Sequence, residues 1–176
     1  METLLHPPRT MMEVFDMLPE GTLAELIDNR LYMSPAPFFN HQKTVKVICR
    51  QLDILIEDSG SGTVILAPFD VKLDESKNAV QPDIVVILET NPNQIRNGRY
   101  SGVPDLLVEI LSSGNKDHDL ITKKDLYEKF GVKEYWVIDP DTKLALGFFL
   151  NNGHYNKVSE SIGKIQSQLL QADFEF

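Results

Sequence analysis

Two acids and a lysine stand where aliphatic side chains are expected. Glu109 lies inside Leu106-Leu107-Val108-Glu109-Ile110-Leu111, and in a strand it shares a face with Asp105, Leu107 and Leu111. An ionised carboxylate among aliphatics is costly unless it is paired, hydrogen-bonded or bound to a metal. Asp83 opens a second apolar run, Ile84–Leu88, just after Gln81-Pro82. The lysine is Lys123. On a helix it falls inside the apolar set of Leu120, Leu126 and Tyr127, its i−3, i+3 and i+4 neighbours. Lys124 lies at the edge of that set and Lys129 points away. A lysine on a buried helix face needs a carboxylate, and Glu109 leads into this helix through the short loop Ser112–Asn115.

Two readings follow from the residues alone. One is a buried Lys–Glu ion pair that only holds a helix to a sheet. The other is a metal site, because Mg²⁺ is commonly bound by one or two carboxylates completed by water and substrate phosphate. In that reading Asp83 and Glu109 hold Mg²⁺ (or Mn²⁺). Lys123 orients or activates the attacking water, or stabilises charge on a phosphate.

The elements that must position these residues alternate along the chain. Thr10–Leu18 reads as a helix with Thr10 as N-cap and Glu13 three residues on, a capping box. Thr22–Met33 reads as a hairpin around Asp28-Asn29. His41–Glu57 carries Val45, Ile48, Leu52, Leu55 and Ile56 at helical spacing. Strands are expected over Thr63–Leu73, Ala79–Leu88 and Asp105–Leu111, with a polar loop from Glu89 to Gly102. The last two strands are apolar on both faces and therefore central. Lys116–Phe130 is a helix closed by Gly131. Glu134–Ile138 and a hairpin around Asn151-Asn152-Gly153 complete one mixed sheet with helices packed on its faces.

The 176 residues suit a single domain, 1–176, able to bury a core without disulfides. Cys49 is the only cysteine and sits among apolar helix residues, which leaves no disulfide framework and no cysteine-based zinc site. Met1–Arg9, with two prolines and His6, does not read as a signal peptide, and no apolar run reaches the length of a membrane span. The expected location is the cytoplasm. The net charge is −9, and even the most basic stretch, 91–133, carries seven bases against six acids. A nucleic-acid substrate would be met with little long-range steering or with a partner's help.

The runs Gln81-Pro82-Asp83-Ile84-Val85-Val86, Pro104-Asp105-Leu106-Leu107-Val108-Glu109-Ile110-Leu111-Ser112, Lys123 before Tyr127, and Gly131-Val132-Lys133-Glu134-Tyr135-Trp136-Val137-Ile138-Asp139-Pro140 resemble the Uma family of restriction endonucleases. This is a bacterial family of the PD-(D/E)xK superfamily. Glu25-Leu26-Ile27-Asp28, Ser34–Pro37, His41 and the tail Ser167–Phe176 fit it as well. The resemblance implies an α/β, restriction-endonuclease-like three-layer core, a central mixed sheet flanked by helices, and metal-dependent cleavage of DNA phosphodiesters. Asp83 matches the superfamily Asp and Glu109 the Glu. Leu111 stands where the usual lysine would be, and Lys123 on the following helix matches the family's lysine. Glu25 resembles the family's N-terminal acid: either an extra metal ligand or a surface strand acid.

Other polar residues are expected to be structural. His41 could approach the site from its helix start but is expected to bond locally there, Asp70 could reach the site but is expected to mark a turn, and His118 and Asp119 are expected to serve a first helical turn. Asp105 is a second Pro-Asp pair on Glu109's own strand, ranked behind Asp83. Tyr135 and Trp136 are expected in the core. Against the endonuclease reading stand a non-enzymatic DNA- or protein-interaction module that retains the nuclease fold, and a phosphohydrolase acting on small nucleotides. A homodimer would suit duplex cleavage.

Overall fold

The computed structural model describes residues 7–176 other than 94, 96, 97, 113 and 115. Parts of the Met1–Arg9, Glu89–Gly102 and Ser112–Asn115 readings fall outside these described residues. The chain runs α1 (Met11–Asp16), β1 (Ala24–Ile27), β2 (Arg30–Met33), α2 (Phe39–Leu52), β3 (Gly62–Leu66), β4 (Val71–Lys72), β5 (Ala79–Val80), β6 (Ile84–Leu88), β7 (Tyr100–Ser101), β8 (Leu106–Ile110), α3 (Lys124–Phe130), β9 (Glu134–Ile138), β10 (Leu144–Asn151), β11 (His154–Ile162), β12 (Lys164–Ser167) and β13 (Ala172–Glu175). π-helical turns extend α2 over Asp53–Glu57 and precede α3 over His118–Lys123.

The centre is a six-stranded sheet in the order β11-β10-β9-β8-β6-β3. It is mixed, because β8 and β9 run parallel while the other neighbours are antiparallel. A parallel pair needs a crossover. The His118–Phe130 helical segment supplies it and packs back on the sheet, with Leu126 and Tyr127 against Leu107, Leu111, Tyr135 and Val137. The other face takes α2, whose Val45, Ile48 and Leu52, with Ile56 beyond, meet Ile84, Val86, Leu106 and Val108. β6, β8 and β9 are therefore buried on both sides, as their continuous apolar runs require.

Local signals act as expected. Thr10 caps α1 by accepting from Glu13 N at 3.1 Å, while Glu13 itself accepts from Arg9 N. Asp28 and Asn29 take positive φ in the β1–β2 turn. Gly131, at φ 88°, ends α3 in the left-handed region.

Two expected strands are divided. Thr63–Leu73 yields β3 and β4, and Ala79–Leu88 yields β5 and β6. The short pieces β4 and β5 join β2, β1 and β7 in a second five-stranded sheet, where the sequence pattern had suggested one. Pro82, which has no N–H to give a ladder, stands between the two halves of the second expected strand. Asp83 therefore sits at the step from one sheet to the other, and this step places it at the site.

Tyr135 and Trp136 are fully buried, as expected. Trp136 donates from Nε1 to Glu134 Oε1 at 2.7 Å, and Glu134 also accepts from Ser167 Oγ and Leu169 N, tying the β12–β13 hairpin to the central sheet. Gly147 lies opposite Trp136 on β10, and a Cβ there would sit 2.5 Å from the indole. Gly147→Ala is expected to cost about 1–3 kcal/mol by overpacking. Urea denaturation reads this directly, and an unchanged midpoint would show that the indole can shift freely.

Candidate active site

Asp83 and Glu109 come together because β6 and β8 are adjacent and antiparallel. The register Ile84↔Val108 sets Asp83 beside Glu109, with both side chains on the α3 face. Asp83 Oδ2 accepts from Ile110 N at 2.7 Å and lies 3.2 Å from His41 Nε2 at the start of α2. This contact, to a residue that leads into β6, stands in place of the local bond expected for His41. Lys123, on the crossover, reaches down to Glu109 Oε1 at 2.7 Å, and Tyr127 OH donates to the same oxygen at 2.8 Å.

Glu25 completes the cluster from the second sheet. It is buried, so the surface-acid reading fails: β1 is covered on both sides, and the carboxylate turns inward to Lys123 Nζ at 2.8 Å. Gln81 N donates to Glu25 Oε1 at 2.8 Å, one residue before Pro82 and two before Asp83. The strand switch at Pro82 thus carries both acids to one place.

Sequence reasoning missed two members of the cluster. His118 Nε2 lies 3.3 Å from Glu25 Oε2, with its ring tilted against Tyr32. Asp119 Oδ1 lies 3.7 Å from Lys123 Nζ. Both sit on the π-helical turn that precedes α3. The i, i+4 spacing of Asp119 and Lys123 was a visible signal for the second. Asp70 and Asp105 lie outside the site. Asp70 is exposed and accepts from Gln81 Nε2, whereas Asp105 accepts from Leu88 N, Asn91 Nδ2 and Lys133 Nζ at the far end of β8. Lys124 stays outside too, 5.8 Å from the Phe148 ring centroid and paired with Asp125.

The electrostatics follow from one ammonium among several acids. Glu25 is pushed up by burial, but Lys123, His118 and Gln81 N outweigh that and hold it at about 2. Glu109 is pushed well above the usual carboxylate range by burial, aided by Asp119, Asp83 and Glu25 against Lys123. Asp119 is also raised, chiefly by burial. For Lys123 burial lowers the pKa, yet Glu109, Glu25 and Asp119 raise it further, so the ammonium stays charged. The cluster is short of positive charge, a deficit that a bound cation would offset.

Among the described residues no group of three or more His, Cys, Asp or Glu is poised as a metal centre. The donor set nevertheless suits a hard divalent cation. The hydrogen bonds to Asp83 fall on Oδ2 and those to Glu109 on Oε1, so each carboxylate keeps a second oxygen that no described protein group engages. Two carboxylates completed by water and phosphate is the usual Mg²⁺ pattern. All of these side chains line one cavity of about 960 Å³.

A mixed sheet with helices on both faces, and a βαβ crossover over its middle, defines a restriction-endonuclease-like α/β fold. The family profile described as "Putative restriction endonuclease" matches residues 12–175, and the chain belongs to this Uma2 family. A similar solved structure is a "putative nuclease" from Anabaena variabilis ATCC 29413, with a TM-score of 0.70 and 18% identity over 85% of this chain and 83% of that one. At this identity the likeness concerns the fold. Comparison with curated proteins found no match.

Two outcomes are expected from the charge cluster. Lys123→Ala leaves buried acids without their partner and should cost about 3–5 kcal/mol in urea denaturation. Glu25 is depressed from 4.5 to about 2, so its contribution to stability is complete above pH 4.5 and lost as pH falls toward 2. Glu25→Gln should therefore flatten the stability–pH curve between those values. An unchanged acid limb would mean that Glu25 is not the carboxylate held ionised by Lys123.

Proposed function

We propose that this protein is a metal-dependent DNA endonuclease that hydrolyses phosphodiester bonds. Asp83 and Glu109 are its metal ligands, Glu25 a further candidate, and Lys123 the catalytic lysine. The observation that carries the reading is the convergence of Asp83, Glu109 and Lys123 at the floor of one cavity, from two adjacent strands and the crossover that follows them. Family membership supports nuclease chemistry of this kind.

Bound between Asp83 and Glu109, Mg²⁺ or Mn²⁺ would supply Lewis-acid polarisation of a phosphoryl oxygen and a more acidic attacking water. The chain's own groups do the rest. Lys123 is held by Glu25 and Glu109 and keeps its charge, so it acts as a donor that stabilises negative charge developing on the phosphate or orients the attacking water. Tyr127 fixes Glu109 through Oε1 and leaves the other oxygen for the cation. Ile110 N and His41 do the same for Asp83 through Oδ2. Hydrolysis joins the water oxygen to phosphorus, breaks the P–O ester bond, and returns a proton to the leaving oxygen.

In this reading residues 1–176 work as one domain in the cytoplasm, and a homodimer would serve cleavage of both strands. Among the described residues no helix is long and apolar enough to cross a membrane. The chain's net charge of −9 favours, as a second reading, an interaction module that keeps the fold without the chemistry.

Cleavage assays on plasmid and oligonucleotide DNA with Mg²⁺ or Mn²⁺ separate the two. Asp83→Ala and Glu109→Ala should abolish cleavage while far-UV circular dichroism stays unchanged. Lys123→Met should lower the rate by about 10²–10³-fold. Cleavage retained by both acid variants would remove the assignment.

A further inference from the structure

The mouth of the cavity is unlike its floor. The floor is charged and nearly closed, with Glu109 3% and Lys123 4% exposed. The mouth is formed by the extended segment that follows β2 and enters α2, and it presents Met33, Phe38 and Phe39 to solvent. Phe38 is 74% and Phe39 78% exposed, a large unmet apolar area for two adjacent aromatic rings. Phe38 is also the N-cap of α2, and no side chain caps the helix there. One turn in, His41 lines the same cavity, and its Nδ1 is buried without a hydrogen-bond partner among the described residues. Two exposed aromatic rings thus stand at an uncapped helix start on the rim of the cavity.

We infer that this mouth binds a single nucleic-acid strand, stacking unpaired bases on Phe38 and Phe39 so that the linking phosphodiester descends past His41 to the site. The inference rests on the nuclease reading and names its substrate class. Two observations favour this occupant, and one sets what must hold it. First, the reactive groups lie at the bottom of a cavity of about 960 Å³, a pocket-sized space that admits a nucleotide or two rather than a paired helix. Base-modifying enzymes solve the same access problem by taking the nucleotide out of the stack. Second, the cavity's acids, Glu25, Asp83, Glu109 and Asp119, outnumber Lys123, so without a cation they oppose a phosphodiester. Affinity must come from elsewhere, and stacking on aromatic rings supplies it for any base sequence. Third, a purely apolar partner would cover the uncapped α2 start without satisfying it, whereas phosphate oxygens bond to helix-start N–H groups. A second copy of this chain seated on the two rings is the rival occupant.

The test uses the intact chain in chelator, so that binding is read without cleavage. Fluorescence anisotropy follows a labelled oligothymidylate and a labelled hairpin duplex of equal nucleotide count. The wild type should bind the single strand more tightly. Phe38→Ala/Phe39→Ala should weaken that binding at least about tenfold, and Phe38→Tyr/Phe39→Tyr should retain it. Binding should fall only shallowly with added salt, since few phosphates meet a cation. Equal affinity for duplex and single strand, no binding by the wild type, or an unchanged Phe38→Ala/Phe39→Ala variant would each overturn the proposal. Sedimentation of the same variants identifies the rival: a wild-type dimer that the alanine pair dissociates, with single-strand binding unaffected, assigns the rings to self-association. The two readings also fail separately. A protein that binds single strands through Phe38 and Phe39 but cleaves nothing in Mg²⁺ or Mn²⁺ sinks the nuclease and keeps the platform. Cleavage that both alanine changes leave untouched does the reverse.

Discussion

One buried ammonium organises this molecule. Lys123 holds Glu109 of the central sheet and Glu25 of the second sheet within 2.8 Å, and Asp119 within 3.7 Å on its own helical segment. It is the point at which three separately formed units meet. A lysine buried alone would lose its charge, and three acids buried alone would take up protons. Together they are stable only when the crossover, β1 and β8 stand in one arrangement. The same arrangement leaves the cluster with more negative than positive charge, a useful property in a cation site and a costly one in a purely structural ion pair.

The backbone explains why the lysine is on a helix. β8 and β9 are parallel neighbours, so the chain must cross over between them, and the crossover covers the face on which Glu109 projects. A side chain from that segment reaches the carboxylate as directly as one two residues along the strand. Leu111, two residues after Glu109, joins the core beside Leu126 and Tyr127.

Much of this was legible in the residues. Asp83, Glu109 and Lys123 stand out because each breaks an apolar pattern, and a broken pattern is visible in one dimension. Turns at Asp28-Asn29 and Gly131 were equally plain, because their chemistry is local. What escaped was whatever depends on how distant pieces pair. Glu25 stayed open between metal ligand and surface acid because nothing nearby in sequence says that β1 is covered on both sides. His41 and His118 looked local because their partners, Asp83 and Glu25, are far along the chain. The second sheet escaped because its strands β4 and β5 are two residues long, too short for alternation to register. Only Asp119, four residues before Lys123, carried a signal that spacing alone could have read.

The central claim is that Asp83 and Glu109 bind a divalent cation, and calorimetric titration tests it most directly. Mn²⁺ or Mg²⁺ should bind the wild type, with affinity rising as pH increases because the raised Glu109 proton must leave first. Glu109→Ala should remove that binding while the protein remains folded. Binding of equal strength in Glu109→Ala, or none by the wild type at any pH at which it is folded, would contradict the account.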